Sequence, residues 1–219
     1  MLSALPEKAK VHIDTGRARL WTVDTWLSAP KAEALFRASL KLHLTRNPEV
    51  LVWGQRRKLN RSVGFFSDVA MGYTYSGQVT EAQPLTPELH GIMDDVNAAL
   101  GKDFNGLLVN LYSDGNDSIG AHSDSPDGLA DDGSVVSLSL GAERTFRARH
   151  KSKHARPVDV LTKHGQMLVM EGAFQQQFTH EIPMTKRICG PRVSITFRKH
   201  RVVRVGPLET REDGQEAKC

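Results

Sequence analysis

The chain has 219 residues, enough for one domain with a sizeable core and a short N-terminal extension. Its 29 basic and 25 acidic side chains leave a net charge of +4, which makes no overwhelming electrostatic case for a polyanionic partner. Two cysteines, Cys189 and the terminal Cys219, build no disulfide framework, the first residues lack the apolar stretch of a signal peptide, and no apolar run approaches the ~20 residues of a membrane span. A protein with no membrane segment is expected, intracellular (cytoplasmic or nuclear) and monomeric, with reduced thiols.

Residues 11 to 27 mix short apolar pieces with turn residues and read as one or two opening strands. Ser28-Ala-Pro30 is a helix start, and Leu35, Phe36, Leu40 and Leu44 at helical spacing predict a helix over about 30–45, stopped by Asn47-Pro48. Val50-Leu-Val-Trp53-Gly54 is followed by a basic run, Gln55-Arg56-Arg57-Lys58-Leu-Asn-Arg61, and then by Gly72-Tyr73-Thr-Tyr75-Ser-Gly77. One reading of this segment is a hairpin with a solvated charged face and two packed tyrosines. The other is a nucleic-acid surface, since basic side chains neutralise phosphates and aromatic faces stack on bases. Thr86-Pro87 opens a second helix whose stripe of Leu89, Ile92, Met93, Val96 and Leu100 ends at Gly101.

From about residue 104 the pattern is strands and turns: 107–112, 135–140, 145–149, 158–161, 167–170, 177–182 and 192–199. Many short strands after two helices predict an α+β chain, mainly β, a sandwich or jelly roll with the helices packed on one sheet. The tail after Arg204, mixed in charge, is expected to be loosely ordered.

Chemistry concentrates in Asn110-Leu-Tyr112 and, after a polar turn, His122-Ser-Asp124. Residues i and i+2 of an extended chain share a face, so His122 and Asp124 can aim at one point. A further histidine would complete a 2-His-1-carboxylate set, the arrangement that holds non-haem Fe(II) with open positions. His180 shares its strand parity with Phe178 and Ile182 and is expected to point inward; His150, His154 and His164 are rivals. In the closing strand Arg192, Ser194, Thr196 and Arg198 share one face and Val193, Ile195 and Phe197 the other. If the apolar face lies under the helices, two arginines enter the interior, where burial demands an anion such as a dicarboxylate. The reversed arrangement, an edge strand with solvated arginines, has the same periodicity.

Taken in order, Asn110-x-Tyr112, His122-x-Asp124, His180 and Pro191-Arg192-Val-Ser-Ile-Thr-Phe-Arg198 resemble the AlkB family of Fe(II)/2-oxoglutarate-dependent dioxygenases over about residues 50–200. The resemblance implies a double-stranded β-helix with iron on His122, Asp124 and His180, and 2-oxoglutarate on Asn110, Tyr112, Arg192, Thr196 and Arg198. It implies O2 as co-substrate, and an N-methyl base hydroxylated to a hemiaminal that falls apart to formaldehyde and the free base. Residues 52–54 through 73–77 resemble the nucleotide-recognition region of the members that repair duplex DNA, which places Trp53, Gly54, Gln55, Arg61, Tyr73, Tyr75 and Ser125 toward an alkylated DNA or RNA substrate. On that reading Trp53 fills the gap left by a flipped base and Tyr75 stacks on the extruded base. Two departures stand out. Ser125-Pro126-Asp127 follows Asp124 where an acidic residue is common, and Ser194 stands where asparagine is usual.

The layout expected is an extension and first helix (1–48), a recognition segment and second helix (49–103), a catalytic β-helix (104–204) and a flexible tail (205–219). The leading reading is an oxidative demethylase of 1-methyladenine- or 3-methylcytosine-type lesions. The alternatives are a hydroxylase of the same class acting on a protein side chain or small metabolite, and a jelly-roll binding module without catalysis.

Overall fold

A computed structural model describes residues 2–52, 55–68, 72–75, 78–124, 133–152 and 155–200, with 51–52, 72–75 and 78–81 described by their backbone alone. Two opening strands, β1 (Lys10–Asp14) and β2 (Ala18–Val23), precede helix α1 (Ala29–Ser39). Next come β3 (Thr45–Arg46), β4 (Glu49–Val52), β5 (Gln55–Lys58), β6 (Ser62–Phe66), β7 (Gly72–Tyr75) and β8 (Gln78–Glu81), followed by helix α2 (Pro87–Leu100). Then follow β9 (Gly106–Tyr112), β10 (Ile119–His122), β11 (Val135–Gly141), β12 (Arg144–His150), β13 (Val158–Thr162) and β14 (Gln166–Gly172). A single helical turn, α3 (Phe174–Gln177), leads into β15 (Phe178–Ile182), and β16 (Arg192–Arg198) closes the described chain.

Among the described residues the strands form an eight-stranded sheet in the order β1-β2-β14-β11-β16-β9-β6-β3 and a four-stranded sheet in the order β10-β15-β12-β13. The two ribbons β4-β5 and β7-β8 stand apart from both, with Val52 opposite Gln55 and Tyr75 opposite Gln78. The ladders between the described strands pair antiparallel, and the isolated bridge Phe66–Gln83 is parallel. No helix among the described residues is long and apolar enough to cross a membrane.

Strand alternation sends every second residue of the large sheet to one of two cores. Trp21, Val109, Val136, Leu138, Val169, Val193, Ile195 and Phe197 pack against Ala32 and Leu35 of α1 and Leu89, Ile92, Met93 and Val96 of α2. Leu20, Tyr112, Val135, Leu168 and Met170 face the small sheet and meet Phe146, Val160, Phe178 and Ile182. The result is the jelly-roll sandwich with helices on its outer face. The chain passes between the sheets at Gly141, where φ is +84° and a Cβ would stand 2.4 Å from the Pro191 carbonyl oxygen, so any side chain is excluded.

Helix α2 has the termini its sequence announces. The Thr86 hydroxyl accepts from the Leu89 N–H at 3.3 Å, and Gly101 adopts the left-handed conformation at the other end. Helix α1 is shorter than its apolar spacing suggests. It stops at Ser39, whose hydroxyl bonds back to the Leu35 carbonyl at 2.8 Å, and Leu40 is left 42% exposed. Leu44 still reaches the core, but from a turn beyond the helix, because the chain must straighten there for β3 to pair with β6.

Candidate active site

A cavity opens between the two sheets, lined on one side by β9, β11, β14 and β16 and on the other by β10, β12 and β15. Its metal corner comes from three places in the chain. His122 ends β10, Asp124 lies two residues on, and His180 sits opposite His122 in the β10–β15 ladder. Their ligand atoms all lie within 4.8 Å of one another, and the two imidazole centroids are 4.2 Å apart. The segment is stitched in place from below. The Asp124 N–H donates to the Gln175 side-chain oxygen at 2.9 Å, and the Ser123 hydroxyl donates to the Phe178 carbonyl at 2.8 Å.

The hydrogen bonds leave the nitrogen and oxygen lone pairs a metal needs. His122 donates from Nδ1 to the Gly120 carbonyl at 2.9 Å, so Nε2 is left without a proton and lies 4.0 Å from Asp124 Oδ1. Asp124 Oδ2 and His180 Nδ1 are buried without a hydrogen-bond partner. Burial, helped by neighbouring His122, pushes His180 down to about 3, and burial likewise lowers His122, so both rings are neutral near pH 7. Burial alone would raise the Asp124 carboxyl; Arg198, whose Nη2 donates to Oδ1 at 2.8 Å, and then the two histidines hold it at about 2. Two neutral imidazoles and one carboxylate around one point fit a divalent ion with positions to spare.

Opposite this corner β16 turns Arg192, Ser194, Thr196 and Arg198 into the cavity, all buried, while its odd-numbered apolar residues face the helices. Arg192 is 2% exposed, donates from Nη2 to Ser139 at 2.8 Å and stands 5.2 Å from the Tyr112 ring centroid. Its Nε and Nη1 have no partner, and burial lowers its guanidinium to about 10. Such buried, unspent donors are what an anionic ligand would complete. Asn110 and Tyr112 line the same cavity from β9.

Two of the three rival histidines, His150 and His164, are engaged away from the cluster. His164 Nδ1 accepts from the Gly141 N–H at 2.8 Å, and His150, at the end of β12, packs edge-on against Phe178 and meets the Ser152 hydroxyl through Nδ1 at 2.9 Å; His154 lies outside the described residues. Of the residues expected to meet substrate, Gln55 is exposed on β5 beside Arg56, Arg57 and Lys58. Tyr73 and Tyr75 fall on β7, whose side chains lie outside the described residues, as do Trp53, Gly54 and Ser125. Arg61 corrects the expectation of one basic face: it is 2% exposed and enters the cavity, donating from Nε to Asn110 Oδ1 at 2.7 Å.

Several residues that line the cavity or hold its lining in place escaped the sequence reading. Ser137 and Ser139 could have been found, since they are the polar positions alternating with Val136, Leu138 and Leu140 in β11. Phe146, stacked at 17° on His180, and Gln175 carry no local signal, because only the sheet packing brings them to the ligands.

The comparisons agree with this geometry. The family model described as 2OG-Fe(II) oxygenase superfamily matches residues 20–198. The DNA oxidative demethylase ALKBH2 of Mus musculus is 37% identical over 158 residues, 69% of this chain and 66% of that protein. The Homo sapiens ALKBH2 is 35% identical over 157 residues, 68% of this chain and 60% of that protein. The Homo sapiens alpha-ketoglutarate-dependent dioxygenase alkB homolog 3 is 36% identical over 135 residues, 58% and 47% of the two chains. This chain thus spans less than two thirds of the length of each of these relatives. The solved structure of OsALKBH1 superposes with a TM-score of 0.58 at 16% identity, covering 87% of this chain and 100% of that one, which is a likeness of fold. A matched family model over most of the chain, on a jelly roll whose cavity joins a His-Asp-His cluster to buried arginines, means that this chain belongs to the 2OG-Fe(II) oxygenase superfamily.

Proposed function

We propose that this protein is an oxidative demethylase of N-alkylated bases in DNA, acting inside the cell, in the cytoplasm or nucleus, as a monomer. The observation that carries the reading is the convergence of His122, Asp124 and His180 beside a buried Arg192 with two unpartnered N–H-bearing nitrogens. Similarity to proteins named DNA oxidative demethylases supplies the substrate class.

His122, Asp124 and His180 would hold Fe(II), and Asn110, Tyr112, Arg192, Thr196 and Arg198 would hold 2-oxoglutarate. When bound, the metal and co-substrate supply oxidation by O2: 2-oxoglutarate becomes succinate and CO2, and the N-methyl group is hydroxylated and lost as formaldehyde. The protein's part is arrangement. Arg192 meets a carboxylate without reorganisation, since its guanidinium is already desolvated and held by Ser139. Arg198 keeps Asp124 ionised and turned to the cavity. Phe146 stacks on His180 and fixes its ring plane. Trp53, Gly54, Gln55, Tyr73, Tyr75 and Ser125 would bind the substrate, with the exposed Arg56, Arg57 and Lys58 of β5 tracking phosphates.

The test is incubation with Fe(II), 2-oxoglutarate and single- or double-stranded DNA carrying 1-methyladenine or 3-methylcytosine, with matched RNA alongside. Formaldehyde release and restored base are expected on DNA and absent in His122→Ala. Turnover of 2-oxoglutarate with no formaldehyde from any oligonucleotide would move the activity to a protein side chain or small metabolite. Light scattering checks the monomer.

A further inference from the structure

Arg61 is a charged group of the cavity lining that the metal and co-substrate roles leave unexplained. It lies one residue before β6, where the ladder sets Val63 opposite Asn110 and Ser62 opposite Leu111. Its own carbonyl accepts from the Asn47 N–H at 3.0 Å, which pins its backbone to the turn before β4. Its side chain forms no ion pair among the described residues, and its buried Nε–H is given to the Asn110 side-chain oxygen at 2.7 Å.

A guanidinium has N–H groups and no acceptor, whereas an amide has one end of each kind. Whichever end of the Asn110 amide meets Arg61 must therefore be the oxygen. The reversed amide would set N–H against N–H at a buried contact, a costly arrangement. With its oxygen held, Asn110 has only its NH2 group left to offer the cavity, and NH2 is the end that suits an anion.

We propose that Arg61 is a positioning residue that locks the Asn110 amide so that a donor, not an acceptor, faces the co-substrate. Arg61 thus serves 2-oxoglutarate through Asn110, although only Leu59 and Asn60 separate it from the solvent-facing cations of β5. The proposal rests on reading the cavity as the 2-oxoglutarate site.

The experiment is anaerobic calorimetric titration of 2-oxoglutarate into the Co(II)-loaded full chain, for wild type, Arg61→Leu, Arg61→Lys, Asn110→Ala and the double variant Arg61→Leu/Asn110→Ala. Arg61→Leu should weaken 2-oxoglutarate about 10-fold, the size of one hydrogen bond to a charged group. Asn110→Ala should weaken it by a similar factor, the double variant by no more than Asn110→Ala alone, and Arg61→Lys by less than Arg61→Leu, because an ammonium is also donor-only. Affinity for unmodified duplex DNA, measured without metal, should stay at the wild-type value. If wild type itself fails to bind 2-oxoglutarate, the site reading falls and this inference with it. If wild type binds and Arg61→Leu binds equally well, the inference alone is overturned. It is equally overturned if the two effects multiply in the double variant, which would put Arg61 on the ligand itself, or if duplex affinity falls while 2-oxoglutarate affinity does not. Melting curves identify variants that fail to fold; should Arg61→Leu be one, Arg61→Lys and Arg61→Lys/Asn110→Ala form the same cycle.

Discussion

The two faces of β16 are equally buried and chemically opposite. Val193, Ile195 and Phe197 press on the helices with full hydrophobic contact, while Arg192, Ser194, Thr196 and Arg198 face a cavity. The first face earns stability by removing apolar surface from water, about 1.5–3 kcal/mol for each large side chain. On the second face Arg192 works against stability, since its guanidinium is desolvated and only partly bonded. One strand therefore divides the labour: its odd residues hold the fold, and on the proposed reading its even residues are kept for a ligand.

Four substitutions break or sharpen this contrast, from the largest effect down. Asp124→Ala removes the carboxylate of the His122-Asp124-His180 cluster and should lower the proposed demethylation at least about 1,000-fold, about 4 kcal/mol in barrier height, with loss of bound iron seen by metal analysis. Phe197→Ala, on the helix face, should cost about 3–5 kcal/mol in urea unfolding while the folded fraction keeps its affinity for 2-oxoglutarate. Arg192→Met on the opposite face should do the reverse. The metal-free protein gains about 1–4 kcal/mol and calorimetry finds no 2-oxoglutarate binding; a loss of stability would show that Arg192 is satisfied without ligand. Its pKa is lowered by burial to about 10, so the unfolded chain binds the extra proton only above that value and the penalty is undiminished at every physiological pH.

The smallest effect is in the turn between β9 and β10. Asp117 is buried beside Arg46, whose Nη2 bonds it at 2.8 Å, and it accepts the Ser113 N–H at 2.8 Å. Burial favours its neutral form, yet the Arg46 and Ser113 bonds prevail and hold its carboxyl below the usual value. A carboxylate with a depressed folded pKa stabilises above its unfolded pKa, and that stability is lost as pH falls through the folded one. Asp117→Asn should thus cost about 1 kcal/mol at pH 7 and make unfolding less steep in acid, measured by melting between pH 7 and pH 2.

Much of this was legible in local pattern. Thr86-Pro87 and Gly101 bracket α2 because capping is a matter of neighbouring residues, and the alternation in β16 needs only strand geometry. Helix α1 misled because Leu44 belongs to the core without belonging to the helix, and apolar spacing cannot tell these apart. Arg61 misled for a related reason: charge says that a residue is costly to bury, not that it is unburied, and the turn at Leu59-Asn60 separates it from the exposed cations of β5.

By itself the sequence determined which residues could bind a metal and a dicarboxylate, and that β16 would have one polar and one apolar face, because period and side-chain chemistry are properties of the local chain. Only the tertiary structure decided that the polar face turns inward, that His180 and not His164 meets His122 and Asp124, that Gln175 and Phe146 support them, and that Arg61 is buried on Asn110. These are choices among arrangements with the same local pattern, and they are settled by which faces of distant strands must share one core.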